Sequence, residues 1–359
     1  MNEELKLAEY LSLFEDNDFD CDSELALNIL DAVKEEISTT KDTELLKTFL
    51  NASANHSFIA SLQTEENRLN WVELVFKAIQ LSGYNLLDMF ENRVNLYPMK
   101  IYFQDFSNEP PLKWTYQQVF FHIREIAATF WKTNPDTEPR VAIFSENCFE
   151  SACSDIACLC YDIPVTPINT QFNSDILKYI IENHKINVIV TDTELRLDKI
   201  LKLKHKHNLP FKIFFIGNNA NINEKYPVNY LGEYCKRLSG SDITAILKER
   251  KRRTIKQVAT IMFTSGSTGM PKGVSFSMYN IITKRFARAA ALPEVGENEV
   301  LLCYLPLFHT FGRYLEMLGM LFWSGTYTFC ENPSADTVLK FFPIVNPTGF
   351  ISIPLRWAQ

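Results

Sequence analysis

Glycine is scarce in this chain, with 12 copies in 359 residues. Positive charge is also short: the formal net charge is −7. That balance excludes the broad basic footprint of a nucleic-acid or anionic-membrane binder. Two short basic runs, Lys199 to His207 and Lys248 to Lys256, read as solvated helix faces or linkers. No run of about 18 apolar residues is present, which excludes a membrane-spanning helix. The opening Met-Asn-Glu-Glu-Leu-Lys has neither the basic nor the apolar region of a secretory signal. The sequons at Asn51 and Asn55 therefore carry no glycosylation expectation, and a reducing cytoplasm is the expected location. The eight cysteines include four between Cys148 and Cys160, without the paired C-x-x-C form of a zinc site. Phe149, Ala152, Ile156, Ala157 and Leu159 recur among them at helical spacing. The expectation is small core residues on one helix and no metal.

What is there is ample apolar material: 46% hydrophobic residues, with 27 phenylalanines. The length suggests two domains. Residues 1 to 83 read as a helical accessory region. Asp22 or Ser23 is placed to cap a helix through Val33, and Gly83 to stop the last one. A helix near Leu86 to Val94 and a strand at Ile101 to Gln104 follow, and Thr115 is an N-cap for a helix to Trp131. Then a rhythm sets in. Apolar, β-branched runs at Val141–Phe144, Ile163–Ile168, Asn187–Thr191 and Lys212–Ile216 alternate with helical patterns, restarting roughly every 24 residues. Such strands are buried on both faces, which predicts an α/β fold of layered, largely parallel sheets. Asn218 to Lys256 reads as polar and irregular. A second series has strands near Val258–Thr264, Val300–Tyr304, Thr326–Phe329 and Gly349–Ile353.

The scarcity of glycine makes one stretch conspicuous. Gly266, Gly269 and Gly273 fall within Phe263-Thr-Ser-Gly-Ser-Thr-Gly-Met-Pro-Lys-Gly-Val274. Glycine lets the backbone approach a ligand and turn its N–H groups inward as an anion nest. Thr264, Ser265, Ser267 and Thr268 add hydroxyl donors, and Lys272 a mobile charge suited to a polyphosphate. The loop follows a buried strand, which puts it at the carboxyl end of a parallel sheet, where ligands bind. It is not a Walker A loop, because Gly273 rather than Ser or Thr follows the lysine.

Thr264 to Gly273 resembles the signature loop of the adenylate-forming, or AMP-binding, superfamily of acyl-CoA synthetases, peptide adenylation domains and luciferases. Leu112-Lys-Trp-Thr-Tyr116, Arg140 to Pro167, Leu305-Pro-Leu-Phe-His-Thr-Phe-Gly312 and Pro347 to Pro354 are similar to further motifs of that family. The resemblance covers about residues 84 to 359 and is strongest to long-chain fatty acid CoA ligases. It implies the large domain of that fold and a two-step reaction. A carboxylate, expected to be a fatty acid, attacks ATP to give an acyl-adenylate, and coenzyme A then displaces AMP. It implies that Thr264, Ser265, Gly266, Ser267, Thr268, Gly269 and Lys272 hold the ATP phosphates. Lys272 and His309 are the implied catalytic residues, with Phe308, Phe311, Tyr314 and Met317 as lining of an acyl tunnel or as core. The Tyr-Gly-x-Thr-Glu segment, the ribose-binding aspartate and the lysine-bearing C-terminal domain of the family are not among these residues. Ligands for Mg2+ are accordingly expected beyond residue 359, and the chain is expected to be an N-terminal fragment, inactive alone. An adenylation domain that loads a carrier protein and a non-catalytic nucleotide- or acyl-binding module are the alternative functions. Residues 1 to 83 are also a candidate docking element, for a partner the sequence does not identify.

Overall fold

The computed structural model describes residues 7–15, 20–133, 137–217, 228–264, 270–330 and 334–351. A helical layer comes first: α1 (Leu7–Ser12), α2 (Ser23–Ser38), α3 (Thr43–Ser53), α4 (His56–Ser61) and α5 (Glu65–Ser82). Each start from α2 to α5 is capped by a side chain. The Leu25 amide donates to the Asp22 carboxylate at 2.8 Å, and Thr64 caps α5. Gly83 ends α5 with φ of +69°, the left-handed conformation that glycine adopts without penalty.

The remaining chain builds two sheets. After α6 (Leu86–Leu96), β1 (Ile101–Asp105) pairs antiparallel with β2 (Leu112–Thr115). Thr115 closes β2 and caps α7 (Tyr116–Thr133): its hydroxyl accepts from the Gln118 amide, and its own amide donates to the Gln118 side chain. The α/β alternation follows as β3 (Val141–Phe144), α8 (Phe149–Cys160), β4 (Val165–Pro167), α9 (Ser174–Asn183), β5 (Val188–Thr191), α10 (Glu194–His207) and β6 (Lys212–Phe215). Then come β7 (Asn229–Tyr230), α11 (Leu231–Cys235), α12 (Gly240–Glu249), β8 (Val258–Thr264), β9 (Lys272–Ser277) and α13 (Met278–Ala291). Last are β10 (Val300–Leu302), a π-helix at Phe311–Met317, α14 (Leu318–Trp323), β11 (Thr326–Phe329) and α15 (Ala335–Val345).

The larger sheet has the order β7-β6-β5-β3-β4-β8-β9, parallel up to β8 and antiparallel at β9. Its strands alternate between two cores. Phe144, Ile189 and Phe215 meet Leu177, Ile180, Leu197 and Ile200 of α9 and α10. Val141, Ile143, Val188 and Phe214 belong to the core shared with α7 and α8. The period-two alternation of a strand thus becomes a sheet covered on both faces. The smaller sheet, β10-β11-β1-β2, is parallel except at β1–β2.

Two expectations are corrected. Residues 218 to 256 are not irregular throughout: β7, α11 and α12 fall there. Ser239 and Asp242 form a reciprocal cap on α12, so residues that read as loop chemistry instead start a helix. For Gly349 to Ile353, the described part shows a single bridge, Leu301 to Gly349, rather than a strand; residues 352 and 353 lie outside the described residues. Cys153, Cys158 and Cys160 are buried on α8, as their spacing predicts.

Candidate active site

β8 delivers Thr264 to the carboxyl end of the parallel strands, and β9 starts at Lys272. The two residues face each other in register, and the Thr264 hydroxyl donates to the Lys272 carbonyl at 3.4 Å. β8 and β9 thus pair antiparallel up to Thr264 and Lys272. Ser265, Gly266, Ser267, Thr268 and Gly269 lie outside the described residues. Thr264 and Lys272 are exposed at the end of this pair, and Gly273 lies against Ile261 and Phe263, where a Cβ would be crowded at 3.0 and 3.2 Å.

The second segment leaves β10 and turns through Leu305-Pro-Leu-Phe-His309. Asn147, just past β3, ties this turn down. Its side-chain amide donates to the Leu305 carbonyl at 2.8 Å, and the Leu307 amide donates back to its oxygen at 2.9 Å. One asparagine thus joins the carboxyl ends of both sheets. The His309 amide donates to the Pro306 carbonyl at 3.0 Å, its ring stacks on Phe311, and the side chain is exposed. Gly312 has a steric reason: a Cβ there would meet the Leu305 and Pro306 carbonyl oxygens at 2.5 and 2.7 Å. No hydrogen bond or ion pair links His309 to Lys272 among the described residues.

A buried ionic node anchors the π-helix beneath this turn. The Arg313 guanidinium donates to both Asp155 oxygens, at 2.7 and 2.6 Å, and to the Thr260 hydroxyl at 2.8 Å and the Tyr314 hydroxyl at 3.1 Å. Arg313 is fully buried. Asp155 lies on α8 and Thr260 on β8, so one side chain fixes the His309 segment to the strand that ends at Thr264.

Between β9, α13 and the π-helix lies a cavity of about 530 Å³. Phe276, Phe311, Tyr314 and Leu315 form its apolar side, and Lys284, Arg285 and Arg288 its basic side. Phe311 and Tyr314 thus line a cavity, while Met317 is fully buried core and Phe308 is not part of this lining.

The family described as AMP-binding enzyme matches residues 90–358. The chain belongs to that family. Among relatives of this AMP-binding chain, a long-chain-fatty-acid–CoA ligase of Xenopus laevis is 25% identical over 322 residues, covering 85% of this chain and 43% of the relative. Another from Rattus norvegicus is 28% identical over 260 residues, covering 69% and 35%. The chain therefore spans less than half the length of these relatives. Among solved structures, ATP-bound MatB from Rhodopseudomonas palustris superposes with a TM-score of 0.62 at 19% identity, covering 77% of this chain and 50% of that one. A red-emitting luciferase from Phrixothrix hirtus gives 0.63 at 20%, covering 76% and 50%. These likenesses establish the adenylate-forming fold.

Asn147, Asp155 and Arg313 escaped the reading of the sequence. Asp155 sits among the buried residues of α8, and an acidic residue amid the apolar positions of that helix was the available signal. No helix is long and apolar enough to cross a membrane among the described residues. Nor does any cluster of three or more His, Cys, Asp or Glu among them suit a metal ion.

Proposed function

We propose that this AMP-binding chain supplies the phosphate grip and the acid-facing side of an AMP-forming acid–thiol ligase. A carboxylate is a poor electrophile, and attack on the ATP α-phosphate converts it to an acyl-adenylate with a good leaving group. The segment from Thr264 through Ser265, Gly266, Ser267, Thr268 and Gly269 to Lys272 holds the outer phosphates and balances charge on departing pyrophosphate. His309 faces the acid and the incoming thiol of coenzyme A. The observation that carries this reading is the Thr264–Lys272 pairing at the carboxyl ends of the strands, within a family match over 90–358. The resemblance to fatty acid CoA ligases favours a fatty acid as the acid activated. Magnesium accompanies the ATP, and the described residues of this chain contribute no ligand cluster for it.

The test is pyrophosphate release from ATP by the full-length protein across a panel of acids, with coenzyme A as acceptor. Lys272→Ala should slow adenylation about a hundredfold. An unchanged rate removes Lys272 from the mechanism. The 359-residue chain alone should release no pyrophosphate, and release from it would show that these residues suffice.

A further inference from the structure

Arg285 is a buried charge with no carboxylate partner among the described residues. It is 3% exposed, and its Nε and Nη1 find no hydrogen-bond partner among them. Burial, together with repulsion from Arg288, brings its pKa down to about 9. The Nε of Arg288 is buried without a partner as well. Both arginines line the cavity beside the His309 turn, opposite Phe276, Phe311 and Tyr314. An unpaired buried guanidinium costs several kcal/mol unless an anion meets it.

We infer that the acid this protein activates carries a second anionic group, which enters the cavity and pairs with Arg285 and Arg288. The inference rests on the acid-activating reading above. The chemistry separates it from two simpler occupants. A saturated hydrocarbon tail would cover the arginines with apolar surface and leave the charge unpaired. The reacting carboxylate itself, clamped to a buried guanidinium, would be stabilised in the ground state and held back from phosphorus. A distal carboxylate has neither fault. It satisfies the arginine pair while the aromatic wall covers the methylenes between the two ends, so the favoured class is an α,ω-dicarboxylic acid.

Two measurements on the full-length protein test this. The first compares kcat/KM for pyrophosphate release with decanedioate, decanoate and hexadecanoate. Decanedioate should be preferred at least about tenfold, Arg285→Met should abolish that preference, and Arg285→Lys should keep part of it. The second is calorimetric titration of decanedioate without ATP, with binding expected for the native protein and lost in Arg285→Met. Equal use of decanoate or hexadecanoate by the native protein overturns the inference, whether or not the variant folds. So does an Arg285→Met defect that falls on ATP or coenzyme A affinity equally for all acids. If no acid elicits pyrophosphate release but decanedioate binds through Arg285, the ligase reading fails and the anion site stands.

Discussion

Arg313 shows how much one residue organises here. It is buried with four polar contacts, and Asp155 is its ionic partner. Removing one side of such a pair leaves the other charge stranded. Arg313→Met should therefore cost about 3–5 kcal/mol, read as a lower urea midpoint. A loss below about 1 kcal/mol would mean that the node contributes little. Glu316, three residues on, is 1% exposed and accepts one hydrogen bond from the Tyr327 hydroxyl at 3.1 Å. Burial holds its carboxyl well above the ordinary value of 4.5. The folded protein holds that proton to a higher pH than the unfolded chain, which ionises above about pH 4.5. Stability is thus full below that pH and falls as pH rises toward the folded pKa. Glu316→Gln cannot ionise, so its stability relative to the native protein should grow as pH rises above about 4.5. Parallel melting profiles for the two proteins would refute this. The glycines and hydroxyls around Lys272 were legible because glycine is rare in this sequence. Arg313 was not: its role depends on Asp155 and Thr260, which only the tertiary fold brings to it.

Among the elements, the π-helix at Phe311–Met317 stands out, because single-turn π segments concentrate at functional sites. Its first turn presses on the Leu305–Pro306 carbonyls, and Gly312 makes that approach possible. Gly312→Ala should destabilise by about 3 kcal/mol and displace the His309 turn. Differential scanning fluorimetry and the pyrophosphate assay should both register it, and native values in both would dismiss the contact. Periodicity revealed most helices, since their apolar stripes are strong. It revealed β3, β5 and β6 because they are short apolar runs buried on both faces. β9 was invisible as a strand, because it is short, largely exposed and opens on lysine and glycine. α12 was hidden by its own cap.

In the molecule as a whole, the helical N-terminal layer shares its core with the AMP-binding part. The Trp71 ring meets Phe286 of α13 edge-on, with centroids 5.8 Å apart, and Tyr84 meets the same ring at 6.4 Å. We propose that this layer folds as one unit with the rest. Trp71→Ala should lower stability by about 3–5 kcal/mol and shift a single transition seen alike by far- and near-ultraviolet circular dichroism. Two separate transitions, only one of them moved, would make the layer an independent domain. The packing also bears on the cysteines. Seven of the eight are buried. Burial raises the thiol pKa of six of these, Cys21, Cys153, Cys158, Cys160, Cys235 and Cys303, and of the half-buried Cys148. An acyl-adenylate is an acylating agent, and a thiolate is the nucleophile that it meets next in the proposed reaction. In that proposed reaction, burial that disfavours the thiolate makes those seven sulfurs poor acceptors and leaves the acyl group to a thiol that arrives from outside.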